Sequence, residues 1–133
     1  MKPLLVAKNL SKHFPSKEGV IKAVDNVNFS IFEGEVVGLV GESGCGKSTL
    51  GKILANLETP TEGGVYFEGK NLHTLSSKEK KAMRKEIQIV FQDPFASLNP
   101  KMSVFEILQE PFLIHKVPYT RKTILNLLAK VHL

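Results

Sequence analysis

A glycine-rich segment at residues 41–49 constrains the fold of this chain more than any other feature. It follows the apolar run 36–40 and precedes a segment with helical spacing of apolar residues. Glycines let such a loop wrap so that backbone N–H groups point inward, and the following helix adds the positive end of its dipole. The order of strand, loop and helix therefore predicts a cradle that binds a polyphosphate.

Two side chains of this cradle have specific expected roles. Lys47 is expected to reach β- and γ-phosphate oxygens as a point charge, and the Ser48 hydroxyl is placed to ligate Mg²⁺. The predicted nucleotide-binding residues of the loop are Gly41, Glu42, Ser43, Gly44, Cys45, Gly46, Lys47, Ser48 and Thr49. A chance glycine-rich turn would lack the amphipathic helix that follows, which is indicated by Leu50, Ile53, Leu54 and Leu57.

The composition indicates one compact domain in a reducing compartment. The chain has 133 residues, of which 42% are hydrophobic, enough to bury a core. Its apolar runs are short and Met1 is not followed by a long apolar segment, so neither a membrane span nor a signal peptide is predicted. Cys45 is the single cysteine. It excludes a disulfide framework within the chain, and no motif links it to a histidine, so it is not predicted to be a nucleophile.

The net charge of +5 raises the question of nucleic-acid binding, but the charge pattern argues against it. The densest basic cluster has Glu79 and Glu86 interleaved and is typical of a solvated helix face; it consists of Lys78, Lys80, Lys81, Arg84 and Lys85. No ladder of aromatic residues accompanies these lysines, although single-strand binding would favour one. A nucleic-acid partner is therefore not expected.

The order of patterns along the chain predicts a small antiparallel sheet followed by an α/β core. Strands are predicted at residues 4–10, 20–24, 27–32, 36–40, 65–68 and 87–91, with a loop at 15–19 and a breaker cluster at 59–64. The run 36–40 has the continuous apolar character of a parallel strand buried on both faces. Capping-box spacing predicts helices that begin at Ser76 and Ser103, and a final amphipathic helix contains Ile124, Leu125, Leu127, Leu128 and Val131.

Three segments together resemble the ATP-binding subunit of an ABC transporter. They are the loop 41–49, Val-Asp-Asn-Val-Asn-Phe at 24–29, and Ile-Val-Phe-Gln-Asp-Pro-Phe-Ala-Ser-Leu-Asn-Pro at 89–100. The chain is most similar to oligopeptide and dipeptide importers, and 92–100 resembles the second, F-type, of their paired ATPases; nickel and glutathione importers remain open. The resemblance implies an α/β P-loop NTPase core with an N-terminal antiparallel β subdomain, truncated within the helical subdomain.

The resemblance also implies a division of the chain and roles for further residues. Residues 1–93 would form the nucleotide-binding core with its β subdomain, and 94–133 would begin an incomplete helical subdomain. ATP and Mg²⁺ are the implied cofactors. Phe14 matches the aromatic residue that stacks on adenine, with His13 as the next candidate and ordinary core packing as the alternative. Gln92 matches the glutamine that touches Mg²⁺ and the attacking water.

Membrane partners follow from the same resemblance. The segment 93–102 resembles the part that faces the coupling helices of membrane subunits, a use for Phe95 and Leu98 if they are exposed; the alternative is a loop packed on its own helix. The implied partners are a second ABC ATPase subunit, homologous or identical, and two permease subunits with a solute-binding protein. The implied location is cytoplasmic, peripheral on the inner face of the plasma membrane.

The sequence offers no acid that suits phosphoryl transfer, which needs a carboxylate to hold the metal and a group to orient water. Its aspartates are Asp25 and Asp93, and Asp93 fits the loop after Gln92 better than a strand end. The resemblance implies that the signature motif, the Walker B acids, the D-loop and the switch histidine lie beyond Leu133. His132 does not replace the switch histidine, because no Asp-Glu strand precedes it. We therefore expect a chain that binds ATP without hydrolysing it and is poorly stable alone. The alternatives are a fragment of an ABC ATPase of translation or DNA repair, or a non-catalytic nucleotide-binding fragment.

Overall fold

The computed structural model describes residues 1–42, 44 and 46–133, so Ser43 and Cys45 of the predicted cradle lie outside the described residues. The chain divides into two compact units, Met1–Gln88 and Ile89–Leu133. The predicted domain boundary after residue 93 stays a prediction.

The first unit contains the predicted antiparallel sheet. Among the described residues its strands are β1 (Leu5–Ser16), β2 (Gly19–Ile31), β3 (Glu62–Phe67) and β4 (Lys70–Asn71), in the order β2-β1-β3-β4 with antiparallel neighbours. The two strands predicted at 20–24 and 27–32 are one strand, β2, with an irregularity at Asn26, whose φ is 47°.

The predicted loop at 15–19 is confirmed only at Lys17 and Glu18, because β1 continues through Pro15 and Ser16 and β2 begins at Gly19. Pairing between β1 and β3 ends at Ser11 and Glu62, so the later part of β1 has a single neighbour, β2. Proline is tolerated there because a strand edge without a neighbour does not need its N–H.

Two helices complete the first unit, α1 (Lys47–Leu54) and α2 (Ser77–Glu86). The predicted capping box of α2 is confirmed, since Ser76 Oγ accepts from Glu79 N at 3.2 Å and Glu79 Oε2 accepts from Ser76 N at 3.1 Å. Helix α1 ends before Leu57, which is exposed, so the prediction that Leu57 continues its apolar face is wrong. The left-handed Asn56 (φ 59°) redirects the chain after the helix, as is common at helix C-termini.

The core of this unit lies between the sheet and α1. Its buried side chains are Leu5, Ala7, Leu10, Val24, Leu50, Ile53, Val65 and Leu72. Leu50 and Ile53 are the buried residues of α1, which confirms the apolar face predicted for the helix after the cradle. Met83 and Ile87 also pack against this core, at α2 and just after it.

The predicted parallel strand at 36–40 is wrong: the segment is neither in a strand nor buried. Val36 is 97% exposed and Val40 is 95% exposed. A parallel strand needs neighbours that satisfy its backbone groups and cover its faces. Within the described residues every strand belongs to the antiparallel sheet, and none pairs with 36–40. The strand predicted at 87–91 is also wrong, and Val90 is 94% exposed, because that segment likewise lacks a pairing strand among the described residues.

The second unit contains α3 (Val104–Ile114) and α4 (Arg121–Lys130). The predicted capping box between Ser103 and Glu106 is confirmed, and α4 begins with a similar box at Thr120. Ile124 is the buried residue of α4, and the rings of Phe112 and Tyr119 lie 5.3 Å apart in this unit. Across the described part of the chain, no helix has the length and apolar character needed to cross a membrane.

Candidate nucleotide-binding site

Two glycines of the cradle, Gly44 and Gly46, have backbone conformations that other residues rarely adopt. Gly44 has φ +79° and Gly46 has φ +95°. A Cβ atom at Gly46 would lie 1.9 Å from the carbonyl oxygen of Ala23. The cradle therefore lies directly against the backbone of β2, and position 46 admits no side chain without movement.

Ala23 occupies a bulge in β2. Its neighbours Val24 and Lys22 pair with Lys12 and His13 of β1, which leaves Ala23 as the additional residue of β2 at a register shift. Bulges of this kind bend the strand and change the direction of the local backbone, and they are common beside functional sites. Here the bulge is the point at which the antiparallel sheet meets the cradle.

The start of α1 suits an anion. Gly46 is its N-cap and has no side chain to bond to the helix, and the first turn has no acidic residue. The first backbone bond of the helix runs from Leu50 N to Gly46 O, at 2.9 Å, and the N–H groups of a helix's first turn point out of its N-terminal end. By contrast, α2, α3 and α4 each begin with a capping box. The amides and the helix dipole together make this terminus electropositive.

Lys47 adds a full positive charge beside these amides. Its Nζ donates to the carbonyl oxygens of Gly41 and Glu42, the second at 2.7 Å, so its side chain folds back over the loop that precedes it. Ser48 is exposed and Thr49 is half-buried in the same helical turn. The arrangement fits a polyphosphate, because amides, a helix terminus and an ammonium group converge on one short segment.

Phe14 lies on the hairpin whose bulge at Ala23 packs against Gly46. It pairs with Ile21 in the hairpin, two residues along β1 from Lys12, and is half-buried. From strand spacing alone, its Cα lies roughly 10 Å from the bulge against which Gly46 packs. The neighbouring His13 is also half-buried, and its amide donates to Thr61 Oγ1 at 3.0 Å. Phe14 and the cradle therefore both adjoin β2, while the stacking role of Phe14 stays a prediction.

Gln92 belongs to the second unit, where it is exposed. Asp93 Oδ1 accepts from the amide of Phe95 at 3.0 Å and from that of Ala96 at 3.4 Å, so its carboxylate shapes a turn. Phe95 and Leu98 are exposed. The contacts predicted for Gln92 with Mg²⁺ and water stay predictions.

A polar group that includes Lys12, Glu58 and His73 was not predicted from the sequence. Lys12 Nζ lies 2.9 Å from Glu58 Oε1, and His73 Nε2 lies 3.1 Å from the carbonyl oxygen of Glu58. The bond with Lys12 lowers the pKa of Glu58, and burial lowers the pKa of His73. No local spacing could have indicated this group, because its members are far apart in the chain and meet only in the folded sheet.

The described residues do not include a group of three or more His, Cys, Asp or Glu side chains that could hold a metal ion. The Ser48 hydroxyl is a type of ligand that Mg²⁺ accepts together with phosphate oxygens and water.

Comparison with known proteins identifies relatives along nearly the whole chain. A model of the ABC transporter family matches residues 24–133. The oligopeptide transport ATP-binding protein OppF of Bacillus subtilis (strain 168) is 48% identical over 120 residues, which cover 90% of this chain and 39% of OppF. The dipeptide transport ATP-binding protein DppF of Escherichia coli (strain K12) is 44% identical over 140 residues, covering 98% of this chain and 42% of DppF.

A solved structure gives the same assignment of fold. The ATP-binding cassette MJ0796, in a dimeric post-hydrolysis state bound to ADP and Pi, matches with a TM-score of 0.78 and 33% identity, covering 94% of this chain and 56% of that one. The chain spans about two fifths of the length of the two curated relatives, at 39% and 42%.

Proposed function

Since this chain belongs to the ABC transporter family and has the fold of an ABC ATPase cassette, we propose that it binds ATP and Mg²⁺ at the cradle 41–49 as part of an importer for oligopeptides or dipeptides. The peptide substrate class rests on the names of OppF and DppF. Nucleotide binding rests on the cradle geometry and on the nucleotide bound to the similar cassette.

The convergence of positive groups at the start of α1 is the observation that carries the proposal. Gly46 opens the helix without a side chain, and Lys47 places its ammonium beside the loop carbonyls. Phosphate oxygens would accept bonds from the amides of the loop and from Lys47, and Phe14 would stack on the base. Mg²⁺, when bound, neutralises developing charge on the phosphates. Ser48 is the proposed protein ligand of Mg²⁺ in the first unit, and the role of Gln92 toward Mg²⁺ is proposed from the resemblance alone.

We also propose that this chain binds ATP without hydrolysing it. Hydrolysis needs a carboxylate that holds the metal and a group that orients the attacking water. Asp93 accepts bonds from the amides of Phe95 and Ala96, and Asp25, the other aspartate of the sequence, lies within β2 and not at the end of a strand. Gln92 alone does not supply the missing carboxylate.

The proposed assembly follows from the relatives. The solved cassette MJ0796 is dimeric, and OppF and DppF are ATP-binding proteins of transport systems. We propose a second ATPase subunit as the direct partner, two permease subunits and a solute-binding protein in the complete importer, and a position on the cytoplasmic face of the plasma membrane. Exposed Phe95 and Leu98 suit contact with the permeases.

Calorimetric titration with Mg-ATP tests the cradle. Lys47→Ala should cost about 2–4 kcal/mol of binding free energy, because a charge paired with phosphate in a partly desolvated site is removed. Lys52→Ala is the matched control, since Lys52 lies in the last turn of the same helix and is exposed. Equal affinity of Lys47→Ala and the parent would refute the cradle. Phosphate release that Lys47→Ala abolishes would refute the claim that this chain does not hydrolyse ATP.

A further inference from the structure

One lysine of β1 contacts both a carboxylate and the aromatic ring that is proposed to stack on adenine. Lys12 Nζ lies 2.9 Å from Glu58 Oε1 and 5.2 Å from the centroid of the Phe14 ring. The Lys12 side chain is only 14% exposed and that of Glu58 is 34% exposed. The pair is therefore more shielded from water than an ordinary surface ion pair, which contributes little.

Glu58 is in turn fixed to the helix that begins at the cradle. The amides of Leu57 and Glu58 donate to the carbonyl oxygen of Lys52, at 2.8 and 3.3 Å, in the last turn of α1. His73 Nε2 holds the carbonyl oxygen of Glu58 at 3.1 Å. The Glu58 carboxylate consequently has a defined position relative to α1. Its contact with Lys12 links α1 to β1.

The loop that contains Glu58 is also tied directly to β1. Thr61 N donates to the carbonyl oxygen of Ser11 at 2.8 Å, and His13 N donates to Thr61 Oγ1 at 3.0 Å. These bonds flank Lys12 on both sides along the strand. Because the loop is fixed at Thr61 and at Glu58, the carboxylate that pairs with Lys12 is held beside β1.

We propose that Lys12 and Glu58 are positioning residues for ATP: together they hold the Phe14 ring at a fixed distance from the cradle, with adenine stacking on the ring face opposite Lys12. This proposal rests on the proposed function, and in particular on the stacking role of Phe14. A cation over one face of an aromatic ring attracts its π electrons and covers that face. The base is thus directed to the other face of the Phe14 ring. Helix α1 would then determine the position of the phosphates through the cradle and the position of the base through Glu58, Lys12 and Phe14.

The test separates base binding from phosphate binding. Calorimetry of the 133-residue chain measures affinity for Mg-ATP and for Mg-tripolyphosphate, which has no base. Lys12→Met keeps the aliphatic stem and removes the charge, and Glu58→Gln keeps the shape and removes the pairing charge. We expect each to weaken Mg-ATP binding about three- to tenfold, the range of cation–π and ion-pair contributions, and to leave tripolyphosphate affinity unchanged.

Two further variants make the comparison specific. Lys12→Arg keeps the charge for Glu58 and for the ring, so it should bind Mg-ATP nearly as well as the parent. Lys8→Met is the matched control, because Lys8 is also on β1 and its Nζ lies 5.4 Å from the centroid of the Tyr66 ring, away from the cradle. It should change neither affinity. A circular dichroism spectrum of each variant establishes that it folds.

The outcomes distinguish this inference from the function on which it rests. If Lys12→Met and Glu58→Gln lower the affinities for Mg-ATP and for Mg-tripolyphosphate equally, the pair is purely structural and the inference is overturned. Unchanged Mg-ATP affinity would also overturn it. If Lys12→Met does not fold, Glu58→Gln and Lys12→Arg decide by the same criteria. Phe14→Ala addresses the function itself: without a selective loss of Mg-ATP affinity, the stacking role fails and the inference with it. A selective loss in Phe14→Ala alone overturns only the inference.

Discussion

Gly46→Ala should destabilise the first unit for two independent reasons, an unfavourable backbone conformation and a steric clash. The backbone of Gly46 has φ +95°, a conformation that L-residues with a side chain rarely adopt. The added Cβ would also lie 1.9 Å from the carbonyl oxygen of Ala23 and 3.0 Å from its carbonyl carbon. The obstacle is backbone of a bulged strand, so a simple change of rotamer does not relieve it.

The expected loss of unfolding free energy is the sum of the backbone cost and the steric cost. A left-handed backbone costs a residue with a Cβ about 1–2 kcal/mol, and forcing extra volume into a close contact costs about 1–3 kcal/mol. Their sum is about 2–5 kcal/mol, a large part of the roughly 5–15 kcal/mol that stabilises a typical domain. Relief of the contact would require the cradle to move away from Ala23, so nucleotide affinity should fall together with stability.

Urea unfolding followed by circular dichroism measures this loss, and two other glycines separate its causes. Gly69 has φ +83° with nothing within 4 Å of an added Cβ, so Gly69→Ala should cost only the backbone term. Gly63 has φ +77° and an added Cβ would lie 2.1 Å from Asn9 O, so Gly63→Ala should resemble Gly46→Ala in stability while changing no cradle residue. A Gly46→Ala protein no less stable than Gly69→Ala would refute the reasoning.

Acidification should lower the free energy of unfolding in two stages, because the folded chain keeps His73 neutral and Glu58 ionised below their usual pKa values of 6.5 and 4.5. The contribution of each group to the free energy of unfolding is fully present above its usual pKa and is lost as pH falls below that pKa. In urea titrations across pH, His73→Gln should remove the first stage and Glu58→Gln the second. Loss of an N-cap in Ser76→Ala or Ser103→Ala should cost about 1 kcal/mol, measured by urea unfolding, whereas Ser77→Ala, beside the cap, should cost less.

Features that depend on residues near each other in the chain could be predicted from the sequence. The capping boxes at Ser76 and Ser103 form because a serine and a glutamate three residues later meet within one helical turn, whatever lies around them. The cradle glycines are similar, since the positive φ of Gly46 is a property of the loop itself. By contrast, the contact between Lys12 and Glu58 requires the sheet to form first, and neither residue carries a local signal for it.

The run 36–40 shows why a strand predicted from apolar character alone was wrong. Its composition predicts that the segment is stable only when covered, because exposed valines such as Val36 and Val40 leave apolar surface in water. A strand, however, is defined by pairing, and the pairing residues must come from elsewhere in the protein. The four strands of the described sheet pair only with one another and leave 36–40 without a neighbour. The apolar composition of 36–40 therefore indicates that the segment is stable only when buried. Whether it forms a strand depends on a pairing strand, which its own sequence does not specify.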